Sequence, residues 1–144
     1  MVVREQALAE RIALLRSTVF KLKLASQRSL EGDWDEWALE RGLQLAAQAL
    51  FDIGNHVLAG AFGVRAKEYA DVPGELARRS VIGQDLATRL AGLAGFRNLL
   101  VHEYAEIDPA KVRHLLRTRL PDFSDFADAV EAWTASTSGR PVSE

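Results

Sequence analysis

The side chains with the most chemistry in this chain stand in one short stretch: Arg97, Asn98, His102 and Tyr104, within Phe96-Arg97-Asn98-Leu99-Leu100-Val101-His102-Glu103-Tyr104. An imidazole with an ordinary pKa of about 6.5 can give or take a proton at neutral pH. A guanidinium offers a planar fork of N–H donors that matches the oxygens of a phosphate. On an ideal helix Arg97 and Tyr104, seven apart, fall about 20° off one line, whereas His102 lies about 140° round from Arg97. Convergence on one phosphate then requires a long arginine reaching round, a distorted helix end, or a second chain that completes the site. Each residue also has an ordinary role. Arg or His near a helix C-terminus favours the macrodipole, and a tyrosine at a core edge keeps its hydroxyl in water.

The elements that must position these residues read as helical. Leu8, Ile12, Leu15, Val19 and Leu22 step by four and three, an apolar stripe on a helix of roughly residues 4–29. After Gly32, Asp33-Trp34-Asp35-Glu36 has the spacing of an N-cap with a carboxylate three positions on. Leu39, Leu43, Ala46, Leu50, Ile53 and Val57 carry a second helix to about Leu58. Gly60, Gly63 and Val72-Pro73-Gly74 predict a loop over 59–74, followed by a brief helix near Glu75–Ser80. A fourth helix bears Leu86, Leu90 and Leu93 and leads into the chemical stretch. Asp108-Pro109 opens a fifth that runs to about Ala135, and Pro121 should kink or split it. No segment alternates like a strand. The expected architecture is all-α: an up-and-down bundle of four to five helices over residues 1–134, with 135–144 a flexible tail.

Length and composition agree with that reading. The 144 residues suit one domain, and 48% hydrophobic with 26% charged residues excludes a disordered or fibrous chain. Charges interrupt every apolar run before the roughly 18 residues a membrane span needs. Arg4, Glu5, Glu10, Arg11 and Arg16 break up any signal-peptide core. Zero cysteines removes disulfides, thiolate metal sites and cysteine catalysis, and fits a cytoplasmic protein. With 18 basic and 20 acidic residues, a net charge of −2 gives no global pull toward nucleic acid.

Other candidates carry less. Asp52 and His56 are four apart and can pair; with three histidines and no cysteine, a zinc site would lack ligands. His114 falls among charges and reads as solvated. Lys111, Arg113, Arg117 and Arg119 form a basic run, with Arg89 and Arg97 as possible neighbours: a track for RNA or simply a solvated face. Trp34 and Trp37 read as core or dimer interface. Gly54, Gly60 and Gly63 make no phosphate loop, since no Gly-Lys-Ser/Thr follows.

The string Arg97-x4-His102-x-Tyr104 resembles the Arg-x4-His-x-Tyr motif of the HEPN superfamily, and in particular of the HepT-like toxins of MntA/HepT-type toxin–antitoxin systems. Leu43-Gln44-Leu45-Ala46-Ala47-Gln48-Ala49-Leu50-Phe51-Asp52-Ile53-Gly54-Asn55-His56 is similar to the family's second-helix signature, and Gly95-Phe96-Arg97-Asn98 and Tyr104-Ala105-Glu106-Ile107-Asp108 match its surroundings. The likeness in helix order covers about residues 4–134.

The resemblance implies an all-helical homodimer with two motifs in a shared cleft, acting as an endoribonuclease without metal or other cofactor. RNA supplies its own nucleophile, the 2′-OH, so the protein need only move protons and stabilise charge. Arg97 and His102 are then the catalytic residues, with Asn98 positioning a phosphate or ribose. It also implies a nucleotidyltransferase antitoxin that transfers AMP to Tyr104, adding charge and bulk where the substrate phosphate must sit. Under the alternative expectation the chain is a non-catalytic helical partner and modification substrate of that nucleotidyltransferase.

Overall fold

Each apolar stripe read from the sequence becomes a buried face. A computed structural model describes residues 5–27, 32–102 and 109–138, apart from the side chains of Asp33, of residues 95–102, and of Pro109, Lys111 and Ser138. Helix α1 spans Glu5–Ser26 and buries Leu8, Ile12, Leu15, Val19 and Leu22. Helix α2, Asp33–Phe62, buries Leu39, Leu43, Ala46, Leu50, Ile53 and Val57. A single 3₁₀ turn, Tyr69–Asp71, leads into α3, Val72–Arg78, and α4 follows at Gln84–His102. Helix α5 is Pro109–Thr118 and α6 is Leu120–Ser138. The described residues contain no strand, and the protein is all-α.

Several boundaries differ from expectation, each for a local reason. Helix α2 continues through Gly60 and stops at Gly63, which takes the left-handed conformation at φ 63°. There the Gly63 N–H donates to the Ala59 carbonyl, the single closing bond of an αL cap, and the Val64 N–H donates to the Leu58 carbonyl. At the other end of α2 the cap is Gly32, at φ 97°, and not Asp33. The expected capping box is replaced by a long-range pair: the Glu36 carboxylate accepts from Arg113 of α5 at 2.8 Å. The loop predicted over 59–74 is thus shortened from both sides, because α3 begins at Val72 with Pro73 in its first turn. Pro121 does split the last helix. Its ring has no N–H to bond the Arg117 carbonyl and crowds that oxygen, so the chain breaks at Arg119 and restarts at Leu120 with the proline in the first turn of α6. Helix α6 runs on to Ser138; residues 139–144 of the expected tail lie outside the described residues.

Helices α1 and α6 are antiparallel. Arg16 reaches Asp128 at 2.8 Å and Glu131 at 3.1 Å, while Ser26, ten residues on, shares a groove with Leu120 and Ser124. The guanidinium is held charged by hydrogen bonds to Glu131 and Asp128. Such exposed pairs contribute only about 0–1 kcal/mol each, so cohesion comes from the core, where Phe51, Phe123 and Phe126 are fully buried. Trp34 and Trp37 are not part of that core: they are 80% and 62% exposed and meet edge to face at 6.0 Å. Among the described residues, no helix is long and apolar enough to cross a membrane.

Candidate active site

Helix α4 positions the motif. Its first half is locked into the bundle by Leu86, Ala87, Leu90, Leu93 and Ala94, all buried. Arg89, at the edge of that buried face, fixes it to α6. Its guanidinium donates to Asp122 and, at 3.1 Å, to Asp125, with Asp85 at 3.5 Å. Asp122 is 3% exposed and takes a second guanidinium, Arg119, at 3.4 Å. Bonds from Asp125 and Asp122 hold Arg89 firmly protonated. From Arg89 the helix extends thirteen more residues, about 20 Å at 1.5 Å per residue, to His102.

Arg97, Asn98 and His102 all lie on α4, which is α-helical through His102. Their side chains, and Tyr104 entirely, lie outside the described residues. The backbone still decides one question left open by the spacing. With no break in the helix between Arg97 and His102, the two stay about 140° apart around the axis and about 7.5 Å apart along it. A distorted helix end between them is therefore ruled out as a means of convergence. A reaching arginine or a second chain remains.

The upstream block is mainly a packing element. Leu43, Ala46, Ala47, Leu50, Phe51 and Ile53 are buried. Gly54 sits where α3 crosses, so close that a Cβ there would stand 2.5 Å from Val72 Cγ1. Asp52 is exposed and accepts from Gln48 Nε2 at 2.8 Å, while His56 is half-buried with its Nε2 out of solvent.

The basic run is partly neutralised, which local spacing did not indicate. Arg113 is paired with Glu36 and Arg119 with Asp122, while Arg89 is enclosed by Asp122, Asp125 and Asp85. These acids stand far off in sequence or looked like ordinary surface carboxylates. Of the run, Arg117 is exposed without an ion-pair partner among the described residues, and His114 is exposed as expected. The Lys111 side chain lies outside the described residues. Lys23, which nothing in its local spacing singles out, is brought beside Arg117 by the packing of α1 on α5.

With this geometry in hand, known proteins provide the comparison. A family model described as "Ribonuclease HepT-like" matches residues 8–130. A "tRNA nuclease HepT" of Aphanizomenon flos-aquae is 38% identical over 73 residues, 51% of this chain and 50% of that protein, so the match spans half its length. An "mRNA nuclease HepT" of Shewanella oneidensis is 32% identical over 90 residues, 62% of this chain and 68% of that protein. Among solved structures, a tri-AMPylated HEPN toxin of Shewanella oneidensis in complex with an MNT antitoxin has a TM-score of 0.77 at 24% identity, covering 87% of this chain and 96% of that one. The cytosolic protein YutE of Bacillus subtilis has a TM-score of 0.86 at 20% identity and covers 99% of both. At these identities the structures establish the helical fold. Residues 8–130 take in both the α2 block and the motif stretch, and the chain belongs to the HepT-like ribonuclease family.

Proposed function

We propose that the protein is the toxin of a toxin–antitoxin pair, a homodimeric endoribonuclease that needs no metal and acts in the cytoplasm. The observation that carries this reading is the family match over residues 8–130, which contains the string Arg97-x4-His102-x-Tyr104, with Arg97 and His102 on the last turns of an anchored helix. The relatives' names, tRNA nuclease and mRNA nuclease, support RNA as the substrate. His102 takes the proton from a ribose 2′-OH as that oxygen attacks the adjacent phosphorus. The 5′-oxygen departs with a proton from the imidazolium so formed, leaving a cyclic 2′,3′-phosphate. Arg97 balances the charge that builds on the phosphorane oxygens, and Asn98 holds a phosphate or ribose oxygen. A nucleotidyltransferase antitoxin silences the toxin: the Tyr104 hydroxyl attacks the α-phosphate of ATP and pyrophosphate leaves. AMP on Tyr104 places negative charge and bulk where RNA phosphate must bind. The AMPylated toxin in its antitoxin complex supports that step.

The test is cleavage of tRNA and mRNA by wild type, Arg97→Ala and His102→Ala side by side. Loss of the imidazole should slow cleavage about 10²- to 10⁴-fold with an unchanged helical circular-dichroism spectrum, and EDTA should have no effect. Cleavage that survives in His102→Ala sinks the catalytic assignment. Intact-mass measurement after incubation with antitoxin and ATP should show AMP on wild type and not on Tyr104→Phe.

A further inference from the structure

Where α1 ends and α5 passes into α6, the surface holds a groove of about 440 Å³. Val19, Leu116, Leu120 and Pro121 give it an apolar floor, and Lys23 and Arg117 stand over it with Ser26 and Ser124. Neither Lys23 nor Arg117 has an ion-pair partner among the described residues. Arg16, Arg89, Arg113 and Arg119, by contrast, are each held by carboxylates. The one acid on the groove, Asp125, is already committed to Arg89 at 3.1 Å. Two unneutralised cations beside an aliphatic floor match a nucleotide, whose phosphate seeks the charge and whose sugar or base rests on the apolar surface.

We propose that this groove is a second contact site for RNA, holding a single-stranded segment away from the motif, with its phosphates on Lys23 and Arg117. The proposal rests on the ribonuclease reading. Arg89, which touches the groove residue Asp125, is about 20 Å along α4 from His102, a span that about six nucleotides cover at a stacked rise of about 3.4 Å. One strand can therefore occupy the motif and the groove together. The aliphatic floor has no base-reading pattern, so the contact adds affinity without sequence preference.

Fluorescence anisotropy with a labelled single-stranded RNA long enough to span both sites tests this, in the His102→Ala background so that the probe stays intact. Adding Lys23→Ala and Arg117→Ala should weaken binding about tenfold and flatten the plot of log K against log salt by about 1.4, two phosphates at about 0.7 each. Arg11→Ala with Lys21→Ala removes the same charge from exposed positions on α1 outside the groove and should leave the slope unaltered. Equal losses from both pairs overturn the groove in favour of a general field, while leaving the ribonuclease reading intact. RNA binding that neither pair alters also overturns it, including the case where the groove pair instead weakens capture of the nucleotidyltransferase. Absence of any RNA binding overturns both proposals together.

Discussion

Glu40 stands one turn after Glu36 on α2, half-buried, and its carboxyl is pushed above the usual carboxylate range, first by lost hydration and second by the charge of Glu36. Glu36 is itself engaged by Arg113 of α5 at 2.8 Å. The folded state therefore binds a proton at Glu40 more tightly than the unfolded chain does. Stability from that proton is fully present below the unfolded pKa of about 4.3 and is lost as pH rises through the higher folded value. At neutral pH the ionised Glu40 is a net cost, so Glu40→Gln should raise the urea midpoint at pH 7, with the gain vanishing below about pH 4. A gain of equal size at both pH values would show that charge is not the cause. None of this was legible in the sequence, where Glu36 read as part of a cap. The same holds for Arg89 and Asp122, 33 residues apart, and for Arg113 and Glu36, 77 apart. Tertiary packing makes such pairs, and local spacing does not encode them. Arg97, Asn98, His102 and Tyr104 could be nominated from the sequence because their chemistry is written in one contiguous string.

At the scale of elements, helical periodicity was enough to identify the buried stripes of the long helices, since a residue's place around a helix follows from its number, but not the face of α3, whose Val72 and Pro73 fell in the expected loop. What periodicity could not supply was the end points, which depend on Gly63 adopting a left-handed turn and on where α3 meets α2. Gly54 is that meeting point. In an exposed helix, glycine to alanine stabilises by about 1 kcal/mol. Here the added Cβ would stand 2.5 Å from Val72 Cγ1 and 3.3 Å from Leu76 Cδ1, and both neighbours are fully buried on α3. Overpacking of this kind costs about 1–3 kcal/mol, so the overlap should outweigh the propensity gain. Gly54→Ala should lower the denaturation midpoint at constant m-value, and adding Val72→Ala should recover part of the loss by making room. An unchanged or higher midpoint would mean that α3 shifts freely against α2. Because α3 also packs against α4, a shift there reaches the helix that carries the motif.

For the whole molecule, the unbroken helix between Arg97 and His102 makes the completeness of the site a question of assembly. Trp34, Trp37 and Leu45 lie exposed within about 80° of one another around α2, the kind of apolar surface by which chains associate. If each site of a two-fold dimer draws Arg97 from one chain and His102 from the other, the two single mutants should complement each other. Arg97→Ala and His102→Ala chains, each inactive, can be unfolded together and refolded as a mixture. Random assortment makes half the dimers mixed. Each mixed dimer carries one site with both substitutions and one site with neither, so the mixture should recover about a quarter of wild-type cleavage. If instead a reaching arginine completes the site within one chain, every site in the mixture carries a lesion and cleavage stays at the level of the single mutants. The outcome is decided by geometry alone, because the same two substitutions are present in both cases. Recovery in the mixture would assign the working site to the dimer, whereas its absence with dimers demonstrated by sedimentation would place Arg97 and His102 of one chain on a common phosphate.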